Sequence, residues 1–430
     1  MTVFVEDAVL ADAQQRAEQL PLTPAERRRW QEVAAYRAAR RPDPNPERAA
    51  VLRDLLALPA TDDHHVLDAA AQLLSHASAA DTLTGQVYAL CRQWFDEDVA
   101  AAAPLLELFT GHHRDPEGGP PAADPDLVDQ LARWLAQRGA RLQDATVIAG
   151  GFSRLMLDVR WTGGHGVVRI EQDGMFGTEG RREASVMRIL RTHGYPVPAI
   201  LWEEPDPAAL GHPFFVMEFV DGRARTDDEG LDDMLRALRQ LHGLDQPPVD
   251  QVAALDDLPA GRGPEQAIDA QLRHWHDVYR SAVTYPIPLL ERGFAWLRAN
   301  LRPTGPSVIV HGDPGPGNAL QDATGVAAVI DWELAHAGDA AEDWAYLALI
   351  RGRRLASPES WKKRLAATVG VEYDEPTWRA WEAFNSVKGA CVNLTALDVF
   401  ARTERPTPDL LAIGVAVHLR FLRRAVELTS

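Results

Sequence analysis

The stretch Ser307–Glu333, SVIVHGDPGPGNALQDATGVAAVIDWE, decides how the rest of this 430-residue chain is read. It opens on a run of β-formers, Ser307–Val310, which delivers the backbone to the loop His311-Gly312-Asp313-Pro314-Gly315-Pro316-Gly317-Asn318. Proline fixes φ and glycine lets backbone approach a ligand, so such a loop is stiff in some places and close-fitting in others. It would hold Asp313 and Asn318 on one side. Ala319–Gln321 and Val326–Ile330 are predicted strands of a hairpin turning through Asp322–Gly325, which brings Asp331 out beside the loop. A carboxylate, a carboxamide five residues on and a second carboxylate eighteen residues on form a set suited to phosphoryl transfer from a metal-bound nucleotide. One group receives the acceptor's proton and two oxygens hold Mg²⁺. A loop or a strand end supplies either motif alone; the two together, with the hairpin between them, point to this chemistry.

Working outward, residues 127–220 read as a small β-rich lobe. Pro125–Arg138 has helical periodicity, with Leu127, Leu131, Trp134 and Leu135 on one side. Ala145–Ala149, Leu155–Trp161 and Val167–Ile170 are predicted strands, the last two joined by a turn through Gly163-Gly164-His165-Gly166. Helix Glu179–Arg191, a segment Ile200–Trp202 and a strand Pro213–Phe219 complete it. Residues 221–430 return to helices around Leu231–His242, Pro264–Tyr279, Pro288–Asn300, Asp343–Ile350, Trp361–Thr368, Pro376–Phe400 and Leu410–Leu428, interrupted only by the hairpin. Residues 1–110 read as helix after helix and 111–126 as a Gly/Pro/Asp/His-rich linker. The predicted class is α+β: a protein-kinase-like two-lobed fold, with a small β-rich N-lobe and a helical C-lobe, preceded by an all-α N-terminal domain. That first domain carries no legible chemistry, and self-association (a homodimer) is one expectation for it.

Composition narrows the partners. The formal charge is −18, divided as −9 over residues 1–140, −2 over 141–219 and −7 over 220–430, which argues against nucleic acid. No apolar run reaches the length of a membrane span, and the amino terminus, with Glu6 and Asp7 and no basic cluster, does not read as a secretory signal. The two cysteines, Cys91 and Cys391, read as buried apolar residues of a reducing compartment, so the expected location is cytoplasmic. The only lysines are Lys362, Lys363 and Lys388, so the β lobe has none.

Within that lobe, Gly150-Gly151-Phe152-Ser153 lies between predicted strands, where backbone N–H groups can face phosphates; an ordinary hairpin turn has the same composition. Arg169 stands in Val167-Val168-Arg169, and Glu183 lies on the following helix. There is no GxxxxGK[ST], so this is not a P-loop chain. The pairs His64-His65 and His112-His113 are not arranged as metal ligands. Trp275, Trp344, Trp378 and Trp381 are predicted core residues before they are an aromatic cation box.

HGDxxxxN, then Val329-Ile330-Asp331-Trp332-Glu333, then Gly338-Asp339 and Asp343-Trp344 resemble the C-terminal half of the aminoglycoside phosphotransferase family. That family includes choline, homoserine and fructosamine kinases and the kinase domains attached to some acyl-CoA dehydrogenases. The resemblance runs from about Leu127 to the carboxy terminus. It implies that Asp313 accepts the proton of a substrate hydroxyl, that Asn318 and Asp331 hold Mg²⁺, and that His311 orients the loop. Asp339 and Asp343 would fix loop and helix ends. The strand Phe214–Val220 would lead to an adenine site near Met217, Glu218 and Val220. The usual lysine is replaced by Arg169, which, paired with Glu183 as a workable replacement, would serve the phosphates of ATP or GTP; this departure is similar to the acyl-CoA-dehydrogenase-associated branch. The function so implied is transfer of the γ-phosphate to a hydroxyl of a small molecule, a hydroxyacyl or hydroxy-acid group ahead of an aminoglycoside or other amino-alcohol. The rival from another class is a non-catalytic nucleotide-binding scaffold.

Overall fold

In the computed structural model the described residues are 123–148, 154–171, 180–225, 227–256, 263–283, 287–323, 325–350, 358–402 and 417–429. The expected helices of 1–110, most of the 111–126 linker, Cys91 and the turn Gly150–Ser153 lie outside them. The chain divides into two units. One holds Gly119–Gln271 and Leu301–Asn385; the other holds Leu272–Asn300 and Ser386–Ser430 together with Met1–Gly118.

The first unit opens on helix α1, Pro125–Gln137, capped by Asp124, whose side chain accepts the Asp126 N–H at 3.0 Å. Then come β1 (Leu142–Val147), β2 (Arg154–Trp161), β3 (Gly164–Glu171), helix α2 (Gly180–Thr192), β4 (Ile200–Glu204) and β5 (Phe214–Glu218). The strands form one antiparallel sheet in the order β1-β2-β3-β5-β4. Side chains alternate along a strand, so Val168, Ile170, Phe214 and Val216 meet Leu131, Trp134 and Leu135 of α1 in one core. The same alternation turns Arg169, Phe215 and Met217 to the opposite face, and α2 packs against β3, β4 and β5.

The predicted turn through Gly163–Gly166 is shorter than expected. The chain reverses at Thr162 and Gly163, and β3 already pairs at Gly164, opposite Trp161. Gly163 supplies the positive φ of 89°. Gly164 serves packing: a Cβ there would stand 2.5 Å from the Trp161 ring. The glycine run therefore makes room for an indole on a strand.

After β6 (Arg223–Ala224) come α3 (Asp228–His242), α4 (Gln246–Leu255), α5 (Pro264–Ser281) and α6 (Pro288–Asn300). The remaining elements are β7 (Val308–Val310), a 3₁₀ turn Pro316–Asn318, β8 (Ala319–Asp322), β9 (Gly325–Val329), β10 (His336–Gly338), α7 (Ala340–Ile350), α8 (Pro358–Val369), α9 (Glu375–Arg402) and α10 (His418–Thr429). The expected hairpin is β8–β9, extended by β6 into three strands, while β7 pairs with β10. Helix α4 is not among the sequence expectations; its Pro247-Pro248 lies in the first helical turn, where proline is tolerated.

In the second unit α6 packs on α10, and Gly389 of α9 lets the Phe421 ring approach the backbone. Glu291 of α6 accepts the hydroxyl of Tyr279 at 2.5 Å and faces His276 Nε2 at 3.1 Å. Cys391 is fully buried, and burial pushes its thiol pKa up. Trp275 is buried in this unit, and Trp344, Trp378 and Trp381 are buried in the first. Among the described residues no helix is long and apolar enough to cross a membrane.

Candidate active site

Strand β7 ends at Val310, and a buried carboxylate catches the backbone beyond it. Asp343, on the first turn of α7, accepts the His311 N–H at 2.9 Å and the Gly312 N–H at 3.0 Å. His242, at the end of α3, donates from Nε2 to the same carboxylate at 2.9 Å. Burial pushes the Asp343 carboxyl up, but His242, His311 and the loop N–H groups outweigh it and hold the group below the usual carboxylate range. Gly312 has φ +86° and lies so close to Leu334 that a Cβ would stand 2.5 Å from its carbonyl oxygen. No other residue type fits there.

His311 ties the two loops together. Its Nδ1 accepts the Asp313 N–H at 3.3 Å, which leaves Nε2–H to donate to the Ile330 carbonyl at 3.1 Å. The ring lies against Trp332, with centroids 4.6 Å apart. Ile330 in turn donates its N–H to the Asn318 carbonyl at 2.9 Å, and Asn318 Nδ2 donates to the Asp313 carbonyl at 2.9 Å. Asp313, Asn318 and Asp331 are all half-buried. The amide nitrogen of Asn318 is engaged inward, so its carboxamide oxygen is the atom available to a cation.

Asp331 has φ 70°, the sole non-glycine residue with positive φ among the described residues. Aspartate tolerates this region better than most residues, yet it is unfavourable for any L-residue and persists where surrounding contacts impose it. Here the next residue is pinned: Trp332 donates its N–H to Glu183 Oε1 at 3.3 Å and its indole N–H to the Val329 carbonyl at 2.9 Å.

Arg169 projects from β3 into this neighbourhood and is 6% exposed. Its Nη2 stands 2.8 Å from Glu183, 3.1 Å from Glu333 and 3.5 Å from Asp331. Burial alone would lower the guanidinium pKa; the three carboxylates outweigh it and raise the value. One nitrogen with two hydrogens thus serves three acceptors, and the bond to Asp331 is the longest. Arg182, beside Glu183 on α2, pairs with Asp256 through two bonds of 2.7 Å and donates to the Ala335 carbonyl at 2.5 Å. Sequence reasoning paired Glu183 with Arg169 but left Arg182, His242 and Asp256 without partners, since their contacts span 74 to 153 residues.

At the end of β5, Met217 is buried, and Glu218 exchanges hydrogen bonds with Ala199: N–H to carbonyl at 2.8 Å, carboxylate from N–H at 3.1 Å. Phe219 N–H points to the His165 carbonyl at 3.4 Å, and Val220 follows just beyond the strand. The residues Gly150, Gly151, Phe152 and Ser153 lie outside the described residues. Among the described residues no group of three or more His, Cys, Asp or Glu is placed to hold a metal ion. Asn318 and Asp331 each carry a hard oxygen atom of the kind that could hold a divalent cation together with phosphates and water.

The arrangement matches a known family. Residues 144–384, more than half of the chain, match the model of the phosphotransferase enzyme family, APH. The chain belongs to this family. It has the family's β-sheet lobe and helical lobe. Among curated proteins it is similar to Acyl-CoA dehydrogenase family member 10 of Mus musculus, at 33% identity over 181 residues, 39% of this chain and 16% of that protein. It is also similar to family member 11 of Gallus gallus, at 32% identity over 178 residues, 38% of this chain and 22% of that one. The match thus spans less than a quarter of either relative's length. Among solved structures, a Ralstonia eutropha protein assigned to the aminoglycoside phosphotransferases aligns at TM-score 0.51 and 22% identity, covering 70% of this chain and 98% of that one. The choline kinase of Streptococcus pneumoniae aligns at TM-score 0.50 and 13% identity, covering 70% and 99%. At these identities the phosphotransferase shares their fold.

Proposed function

We propose that this phosphotransferase moves the γ-phosphate of ATP to a hydroxyl of a small hydroxyacyl or hydroxy-acid acceptor, with Mg²⁺ as the divalent ion. The observation that carries the reading is the Ile330 link, which holds Asn318 and the Asp331 loop in one backbone network with Asp313. In that geometry Asp313 accepts a hydrogen bond from the acceptor hydroxyl and aligns its oxygen for attack on phosphorus. The new P–O bond forms as the bond to the β,γ-bridging oxygen breaks; the hydroxyl proton passes to Asp313, and ADP leaves. Asn318 and Asp331 would hold the metal, which when bound supplies positive charge to the phosphate oxygens. Arg169 adds a fixed cation beside Asp331. Val220, just beyond β5, is the proposed contact for the adenine, with Met217 in the apolar wall behind it and Glu218 bracing the strand end.

The hydroxyacyl acceptor draws support from Arg169 in place of lysine and from the likeness to acyl-CoA dehydrogenase family members, whose remaining length this match does not reach. Purified protein with ATP and Mg²⁺ should phosphorylate members of a hydroxyacyl and hydroxy-acid panel. A panel of aminoglycosides and amino-alcohols phosphorylated instead would move the acceptor class. Asp313→Ala should lower kcat by at least about 100-fold while ATP still binds. Normal turnover by that variant would overturn the assignment of Asp313.

A further inference from the structure

Two adjacent residues of α2 grip one short segment at its two ends. Glu183 accepts the Trp332 N–H, and Arg182 donates to the Ala335 carbonyl at 2.5 Å. Neighbouring residues on a helix point about 100° apart, so the two side chains reach different parts of the segment. Between them lies a tight turn, closed by Ala335 N–H to the Trp332 carbonyl at 3.1 Å. The residue just before that turn is Asp331, in its left-handed conformation. Arg182 is itself oriented: Asp256, at the C-terminal end of α4, takes Nε and Nη2 in a two-pronged pair, both bonds 2.7 Å. A bidentate guanidinium–carboxylate pair fixes direction as well as distance. Elsewhere on α2, Arg188 pairs with Glu203 at the surface and Arg191 with Glu218, while Glu183 also pairs with Arg169, which reaches Glu333 and Asp331.

We infer that Arg182, aimed by Asp256, is a positioning residue that holds Asp331 in its metal-facing, left-handed conformation. The inference rests on the proposed role of Asp331 in metal binding. In this reading Arg182 acts through the Trp332–Ala335 turn, by its bond to the Ala335 carbonyl. The expected signature is loss of metal dependence in nucleotide binding, with nucleotide binding in the absence of metal preserved.

Calorimetric titration of ATP with and without Mg²⁺ tests this on the full chain. In Arg182→Gln the gain in ATP affinity that Mg²⁺ confers should shrink about tenfold, while metal-free affinity stays within about twofold. Asp256→Asn should act in the same direction by about threefold, and the double variant should be no worse than Arg182→Gln, since the two act as one unit. Arg188→Gln should leave both titrations unchanged. Full metal dependence in folded Arg182→Gln overturns the inference, as does an equal loss with and without metal. Should Arg182→Gln not fold, Asp256→Asn decides by the same two readouts. Asp331→Ala separates the levels. If it abolishes metal dependence and Arg182→Gln keeps it, the positioning role alone fails; if Asp331→Ala retains metal dependence, the metal assignment fails and takes the positioning role with it.

Discussion

Arg169 carries more charge around it than it can neutralise. Glu183, Glu333 and Asp331 converge on a single nitrogen, and Glu183 and Glu333 are themselves buried. A lysine ammonium has three donors but no planar fork, so it cannot keep the same directions from β3. Removing the cation breaks buried ion pairs, and such breaks cost about 3–5 kcal/mol. Arg169→Met should therefore lower the unfolding free energy by that order in urea titrations, and Arg169→Lys by clearly less; equal losses would show that shape, not charge, is what Arg169 supplies. Asp343 presents the complementary case. Its folded-state carboxyl is held below the ordinary value, so its contribution is present above the unfolded carboxylate pKa and is lost as pH falls through the folded one. The stability gap between the protein and Asp343→Asn should be full above about pH 4 and close below it. Because Asp343 also accepts two N–H groups of the loop that carries Asp313, the same variant should lose kcat at neutral pH, where urea titration still shows it folded.

At the scale of elements, what could be read from sequence and what could not separate along physical lines. The Ser307–Glu333 hairpin was readable because glycine, proline and alternating β-formers mark local geometry within a few residues. The Arg169–Glu183 pairing was readable from the family resemblance, which puts Arg169 in the position of the usual lysine, and the structure brings the two to 2.8 Å. Strands β6 and β10 were not, being two and three residues long and defined only by distant partners. Nor was the start of β3, where glycines that look like a turn accommodate Trp161. Buried polar contacts between helices belong to this hidden class. His418 of α10 donates from Nδ1 to the Ala390 carbonyl of α9 at 2.8 Å, and burial lowers its pKa to about 4. The unfolded chain therefore binds a proton there that the folded chain resists, and stability should fall as pH drops from about 6.5 to about 4, by roughly 3 kcal/mol for this group. His418→Gln can keep the bond to Ala390 without titrating, so its unfolding free energy should show a shallower slope across that window. An unchanged slope would assign the acid sensitivity to other groups.

On the scale of the whole molecule, the candidate site draws on a limited part of the chain. Its residues run from Arg169 to Asp343 and lie in the unit formed by Gly119–Gln271 and Leu301–Asn385, and the family match covers 144–384. The named site residues all lie beyond residue 118. The first 118 residues nevertheless carry much of the acidic excess that brings the chain to −18. A like-charged segment that makes no contact with an anionic nucleotide acts on it through long-range repulsion, which is screened beyond about 8–10 Å at physiological salt. Protein lacking residues 1–118 should thus bind Mg²⁺ and ATP within about twofold of the full chain at physiological ionic strength, and slightly more tightly at low salt. Calorimetry at two salt concentrations reads both effects. A loss of tenfold or more at both would show that the first 118 residues complete the nucleotide site. Unaltered ATP binding with lost turnover on the identified acceptor would instead give that segment a part in recognising the acceptor, the one component of the reaction that the Asp313–Asn318–Asp331 set leaves open.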